Sequence, residues 1–342
     1  MQNRAAVMYG THDVRLEEVP VPEPGPKEVL VEIRAVGVCG SDVHYYEEGR
    51  IGSFVVREPL ILGHESMGTI VALGEGATKH EIGERVTLEP GVPDGTCREC
   101  RAGRYNLCPN VRFFATPPID GAFTNYVNIH EDFAFSLPDG LSDNAGALME
   151  PLSVGIWACK KGNVTAGDHV LVTGAGPIGL LAIQVAFAQG ATEVTVTDVA
   201  DERLEIARRL GATRALNVAE EPLDEAGMEA DVLIECSGNE RALGDGIRCV
   251  RPAGFAVVVG MGPNEETSVP LAFIQTREIT LTGTFRYANT YPIAIDLAAT
   301  GKVDLDAMVT SHYGLADTEE ALQASRQDPA NVKPMVIPNG IS

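Results

Sequence analysis

Along the first 138 residues the apolar positions come in short alternating runs cut by Gly and Pro, at 28–36, 68–73, 85–88 and 122–129. A period of two over so few residues predicts strands, and a series of them predicts an all-β lobe of barrel type. After Asn144 the period changes. Residues 145–159 and 176–188 repeat at helical spacing, and from His169 onward strand-like runs (169–173, 193–198, 231–236, 253–260, 278–283) alternate with helical ones (203–210, 241–250). Such alternation builds a parallel sheet covered by helices on both faces. The tail, 285–342, returns to short helices and strands and is expected to pack back on the first lobe.

The length of 342 residues fits two domains at about 150 residues each. Hydrophobic residues make up 44%, the share expected of a globular chain with room for a core in each domain. Asp and Glu total 48 against 26 Lys and Arg, a formal charge of −22. That field repels phosphate backbones and anionic lipid, so neither nucleic acid nor a membrane surface is an expected partner. Arg outnumbers Lys twenty to six, which together with the carboxylates suggests a surface adapted to concentrated salt, or simply an ordinary acidic enzyme. Residues 1–9 carry one Arg and no long apolar core, unlike a secretory signal. The nearly uncharged stretch 170–188 is broken by Gly174, Gly176, Pro177 and Gly179, leaving too short an apolar helix to span a bilayer, and a cytoplasmic location is expected. Of seven Cys, three stand at Cys97, Cys100 and Cys108, a spacing that reads as metal ligation; Cys159, Cys236 and Cys249 read as buried packing residues.

The run 169–173 leads straight into Gly174-Ala175-Gly176-Pro177-Ile178-Gly179, with a helix following. In that context the glycines read as a dinucleotide fingerprint. Gly174 makes the tight turn, Gly176 lets the backbone approach a pyrophosphate, and Gly179 allows close helix-to-strand packing above a helix N-terminus that attracts anions. The second strand ends in Asp198, where a carboxylate would accept ribose hydroxyls and repel a 2′-phosphate, favouring NAD over NADP. Arg203 is near enough in sequence to soften that preference. Cys39 follows the strand 28–36, and Gly63-His64-Glu65 opens another loop of the same lobe. Thiolate, imidazole and carboxylate suit zinc, and a catalytic site needs three of them and an open position. Glu150 is a fourth candidate.

Gly63-His-Glu-Ser-Met-Gly68, followed by Gly74, resembles the zinc signature of the medium-chain dehydrogenase/reductase superfamily. Longer runs resemble its polyol branch, the sorbitol and xylitol dehydrogenases: Cys39-Gly-Ser-Asp-Val-His-Tyr45, Gly49-Arg-Ile-Gly52, Ala115-Thr-Pro-Pro118, Glu150-Pro-Leu-Ser-Val-Gly155 and Phe285-Arg-Tyr-Ala-Asn-Thr290. They occur in order from about residue 5 to residue 337. The resemblance implies an α/β protein with a GroES-like β-barrel catalytic domain at 1–151 and 287–342, and a Rossmann domain with a doubly wound parallel sheet at 152–286. It implies that Cys39, His64 and Glu65 bind zinc, with Glu150 either the fourth ligand or a base hydrogen-bonded to the metal-bound water. It further implies that Tyr45, Glu150, Arg286 and Tyr287 contact a polyol. Gly174, Gly176, Ile178, Gly179, Asp198, Arg203, Val259, Gly260, Met261, Thr284, Phe285 and Arg286 would line the NAD site. A homotetramer or dimer is implied as well.

Alcohol oxidation removes a hydroxyl proton and then a hydride, and coordination to zinc makes the first step accessible near neutral pH. Ser41 and His44 stand at the spacing by which this family passes the proton outward through the cofactor ribose. Glu65 in place of a second thiolate makes the metal's surroundings more polar, which suits a polyhydroxylated substrate. Cys97, Cys100 and Cys108 resemble the family's structural zinc lobe, except that Asp94 stands where the leading Cys is expected. Three thiolates and a carboxylate could close a tetrahedral site, or the site stays empty. The expected activity is NAD-linked, zinc-dependent oxidation of a polyol such as sorbitol or xylitol at a secondary carbon to a ketose. The rivals are another zinc dehydrogenase acting on threonine or glucose, which the run 285–290 argues against, and a non-catalytic NAD-binding protein, which the retained ligand positions argue against.

Overall fold

The alternation at the head of the chain folds as an antiparallel hairpin of β1 (Asn3–Gly10) and β2 (Asp13–Val19), in a computed structural model that describes residues 1–223, 226–262 and 266–340. These strands belong to a unit comprising Met1–Glu150, Tyr291–Ala299 and the chain from Leu305 onward. Its central strand, β3 (Glu28–Gly37), buries Val29, Val31, Ile33, Ala35 and Val36 completely and keeps Arg34 in solvent. After β3 comes the helix α1 (Gly40–Glu48), which the sequence pattern does not foretell because its residues are mostly polar. Asp42 starts it by accepting the Cys39 backbone N–H at 3.0 Å, a capping interaction. Then follow β4 (Leu60–Ile61), paired with β1, and β5 (Glu65–Leu73), which begins three residues earlier than expected because its polar start is paired with the end of β3. The strands β6 (Arg85–Leu88), β7 (Tyr126–His130) and β8 (Ala134–Ser136) complete this part, with β7 on β3 and the order β8-β6-β5-β3.

The helix expected over 145–159 is interrupted, running as Asp143–Ala147 and then Met149–Lys161. The second unit, Pro151–Thr290 with Thr300–Asp304, holds the parallel sheet. Its elements alternate as expected: β9 (His169–Thr173), α2 (Pro177–Ala188), β10 (Glu193–Asp198), α3 (Asp201–Arg209), β11 (Arg214–Asn217), β12 (Ala230–Glu235), α4 (Glu240–Arg248), β13 (Val250–Val258), α5 (Leu271–Arg277) and β14 (Thr280–Gly283). The order β11-β10-β9-β12-β13-β14, parallel throughout, is that of a doubly wound nucleotide-binding sheet, with its switch point between β9 and β12. The edge strand β11, Arg-Ala-Leu-Asn, carries too little apolar sequence to announce itself. Cys159 and Cys249 are buried as expected, but Cys236 is only half-buried, because it follows β12 into the loops at the carboxyl end of the sheet.

The tail rejoins the first unit. There β15 (Val309–Gly314) and β16 (Lys333–Ile337), parallel to each other and separated by α6 (Thr318–Gln327), extend the β3 sheet, with Met335 opposite Gly37 and Val336 opposite Val36. This carries the last strand of the chain to the end of β3, next to Cys39. The unit boundaries fall after Glu150 and after Thr290, against 151 and 286 in the sequence reading. No helix among the described residues is long and apolar enough to cross a membrane.

Candidate metal centre and nucleotide loop

Strand register in the first unit brings three metal-ligating side chains together. Glu65 opens β5 opposite Gly37 at the end of β3, His64 precedes it, and Cys39 lies two residues beyond Gly37. Gly37 leaves room for the Glu65 carboxylate, since a Cβ there would stand 2.1 Å from Glu65 Oε2 and push it from its place. One ligating atom each from Cys39, His64 and Glu65 lie within 4.8 Å of one another, and sulfur, imidazole nitrogen and carboxylate oxygen form a donor set that fits zinc.

Asp42, wholly buried, organises the group. Its Oδ2 accepts from Cys39 N at 3.0 Å, its Oδ1 accepts from Gly63 N at 3.0 Å, and the same Oδ1 stands 3.5 Å from His64 Nδ1. A carboxylate on Nδ1 fixes the ring and leaves Nε2 to face a metal. Burial works against a charge on His64, but Asp42 and Cys39 outweigh it and hold the imidazole well above its ordinary range. Lys333 is the second organiser. Its ammonium, at the start of β16 and 1% exposed, donates to Glu65 Oε1 at 2.9 Å, Glu65 Oε2 at 2.8 Å and the Val38 carbonyl at 3.0 Å. Burial works to lower its pKa, but Glu65, with Cys39 and Glu150, outweighs that and holds it above the ordinary lysine value.

Glu150 is buried at the start of the helix Met149–Lys161, and its charge bears on Lys333 and on Glu89. It is not one of the three residues whose ligating atoms cluster. Glu89, just beyond β6, accepts from Tyr105 Oη at 2.7 Å; burial, reinforced by the Glu150 charge, pushes its pKa up to about 7. Of the proposed relay and substrate residues on α1, Ser41 is half-buried and Tyr45 is buried, whereas His44 is exposed, with Nδ1 3.8 Å from Glu48 Oε1.

A second cluster forms around the short helix Arg98–Arg101, where ligating atoms of Asp94, Cys97, Cys100 and Cys108 also lie within 4.8 Å of one another. Cys97 and Cys100 sulfurs are 3.4 Å apart. Asp94 is held in place by Asn110 on Oδ2 and by the Thr96 and Cys97 N–H groups on Oδ1, which keep its carboxyl far below the usual range. The donor set, three sulfurs and a fixed oxygen, fits zinc.

In the second unit the nucleotide loop has the geometry its glycines require. Gly174 adopts φ +90°, and a Cβ on Gly179 would lie 1.9 Å from Gly174 O. Helix α2 starts on Pro177 with Gly176 as its cap, leaving first-turn N–H groups for an anion. Asp198 ends β10; its Oδ2 accepts from Ala175 N at 2.7 Å, inside the fingerprint, and its Oδ1 accepts from Val199 and Ala200 N–H groups. Its carboxylate thus shapes the loop. Arg203 lies in the first turn of α3. Val259 and Gly260 donate their N–H groups to Glu235 O at 2.8 and 2.9 Å, Met261 is exposed, and Thr284 N donates to Val258 O. Phe285 is exposed with the Arg286 guanidinium 4.9 Å over its ring, Arg286 takes φ +54°, and Tyr287 is buried.

Sequence reasoning missed Asp42, Glu89, Glu235 and Lys333. Asp42 lay inside the Cys39–Tyr45 run, and its position three residues after Cys39 is a capping signal. Glu235, buried at the end of β12, gathers Ser237 N at 2.8 Å, Gly238 N at 3.0 Å and the Ser237 hydroxyl on one oxygen, fixing the turn against which Gly174 packs. Burial raises its pKa, and those donors only partly oppose that. Nothing local marks Lys333, 268 residues from its partner.

Comparison with known proteins gives the family. Residues 25–139 match the alcohol dehydrogenase GroES-like domain family, and residues 177–300 match the zinc-binding dehydrogenase family. The chain is 44% identical over 343 residues to sorbitol dehydrogenase from Bacillus subtilis (strain 168), covering 98% of this chain and 97% of that one. It is 44% identical over 334 residues to sorbitol dehydrogenase from Bos taurus, covering 95% and 94%. Among solved structures, an oxidoreductase/dehydrogenase of unknown specificity from Escherichia coli superposes with TM-score 0.93 at 36% identity, covering 98% of this chain and 99% of that one.

Proposed function

The chain belongs to the zinc-binding dehydrogenases with a GroES-like alcohol dehydrogenase domain, and from that premise we propose that it oxidises a polyol of the sorbitol or xylitol type at a secondary carbon to a ketose, with NAD as acceptor. The observation that carries this reading is the convergence of Cys39, His64 and Glu65, with the carboxylate in place of a second thiolate. When bound, zinc supplies the Lewis acidity that lets a secondary alcohol give up its hydroxyl proton near neutral pH, and NAD accepts the hydride.

The chain's own residues do the rest. Cys39, His64 and Glu65 hold the metal, and Asp42 orients His64 through Nδ1. Glu150, outside the clustered set, is better suited to accept a hydrogen bond from a water or substrate hydroxyl than to serve as fourth ligand. Tyr45, Glu150, Arg286 and Tyr287 contact the polyol, and the hydroxyl proton leaves by way of Ser41 and His44. The exposure of His44 supports a role as the last station before solvent. Gly174, Gly176, Ile178, Gly179, Asp198, Arg203, 259–261 and 284–286 bind NAD, with Asp198 disfavouring a 2′-phosphate. The first unit is the metal-binding catalytic domain and the second the nucleotide domain. Asp94, Cys97, Cys100 and Cys108 hold a second, structural zinc.

The protein works in the cytoplasm as a homo-oligomer. The edge strand β14, which exposes Leu281 and presents no charge or proline, supports assembly by strand pairing. The deciding experiment is an initial-rate screen of sorbitol, xylitol, galactitol, ribitol, threonine and glucose with NAD and NADP, at low and high salt. Polyol-dependent NADH formation that chelation abolishes and zinc restores is expected; turnover of threonine or glucose without polyols refutes the substrate class.

A further inference from the structure

The three hydrogen bonds of the Lys333 ammonium span the metal centre. Two go to the two oxygens of Glu65, and the third goes to the carbonyl of Val38, the residue before Cys39. The link is reciprocal, since Val38 N donates to Pro334 O at 3.0 Å. One buried cation thus fixes the rotamer of one ligand and the backbone entry to another. On the opposite strand Glu65 faces Gly37, which has no side chain to hold it, and among the described residues no other side chain donates to its carboxylate. Each carboxylate oxygen has two lone pairs, so one ammonium N–H bond apiece leaves acceptor capacity for a metal, and the clamp is compatible with ligation.

We propose that Lys333 is a positioning residue for the metal centre, delivered by the last strand of the chain, and that it pre-sets Glu65 and Cys39 for zinc. The proposal rests on the reading of Cys39, His64 and Glu65 as the zinc site. It explains why β16 must be paired in register with β3 before the site is complete: a slip by one residue would turn the ammonium to the other face of the sheet.

The test compares the full-length protein with Lys333→Met, Lys333→Gln and Lys333→Arg, titrating metal-stripped samples with zinc against a chromogenic chelator and with Co2+ while following its absorption. Any binding at the Asp94 cluster is common to all samples and cancels. Loss of an outer-shell partner typically weakens metal binding by about 10–100-fold, and that range is expected for Lys333→Met, with a changed Co2+ spectrum. Lys333→Gln, which keeps a donor without the charge, falls between, and Lys333→Arg recovers most of the affinity. Met335→Ala, which removes a buried side chain on the same strand, lowers stability without moving zinc affinity. Should Lys333→Met fail to fold, Lys333→Gln decides. Zinc affinity within twofold of the parent in the folded variants, with the Co2+ spectrum unchanged, overturns the proposal. If the parent itself shows no thiolate-to-Co2+ band that Cys39→Ser removes, the zinc reading fails instead.

Discussion

Asp42→Ala removes one side chain and leaves two backbone N–H groups and one imidazole without their partner. The carboxylate is fully buried, accepts the N–H groups of Cys39 and Gly63 at 3.0 Å each, and faces His64 Nδ1 at 3.5 Å. Two backbone donors, one buried and one part-buried, are left unpaired, at about 1–3 kcal/mol each, so the metal-free protein should lose about 2–6 kcal/mol. With a urea slope of about 2 kcal/mol per molar, the unfolding midpoint of the first unit falls by about 1–3 M. Zinc affinity falls in addition, by about 10–100-fold, because the imidazole loses the group that fixes its ring. Asp42→Asn separates the two effects. Its single carbonyl oxygen can still serve one backbone donor, so about half the stability loss is expected, while the charge facing His64 is gone and most of the affinity loss remains. The assays are urea unfolding after chelation, followed by near-ultraviolet circular dichroism, and competition for zinc with a chromogenic chelator. If Asp42→Ala unfolds within about 0.5 kcal/mol of the parent and holds zinc equally well, the reasoning from buried donors and ring orientation is wrong.

Glu89 makes a pH-dependent prediction. Its carboxyl rises from an ordinary 4.5 to about 7 in the folded chain, so folding favours its protonated form. Stability therefore falls as pH climbs from about 4.5 through about 7, by about 3 kcal/mol in total. Glu89→Gln should gain on the parent as pH rises from about 4.5 to about 7, hold a constant advantage above that, and have little near pH 5; a stability difference that does not vary with pH contradicts the shift. Asp198→Asn should raise the ratio of NADP to NAD specificity constants by about tenfold or more, as one charge repulsion of about 1.4 kcal/mol is relieved; an unchanged ratio would mean that Asp198 serves the loop alone. Metal analysis should find close to two zinc per chain, falling to one in Cys97→Ser/Cys100→Ser with polyol oxidation retained at moderate temperature. A stoichiometry of one in the parent would show that the Asp94 cluster does not hold metal.

Most of the parallel sheet could be read from the sequence because its strands, β11 apart, are local apolar runs bounded by loops, and the fingerprint at 174–179 sits where a strand meets a helix. Local signals of this kind survive without tertiary context. The short, polar β11 and the helix α1 could not be read, since one depends on its neighbour β10 and the other on a cap. The break in the helix expected over 145–159 has no apolar-period signature either. At the metal centre the ligand types were visible, but the residues that aim them were less so.

What the chain determines by itself is chemistry and local form: a thiol, an imidazole and a carboxylate of zinc-binding type, a glycine loop for a pyrophosphate, and a strongly acidic surface. Which of these meet was decided in three dimensions. The register of β3 against β5 placed Glu65 over Gly37, and β16 returned Lys333 across 268 residues to clamp it. Long-range pairing of this sort leaves no periodic trace, because a buried ion pair needs only one residue from each strand and neither sequence neighbourhood betrays its partner.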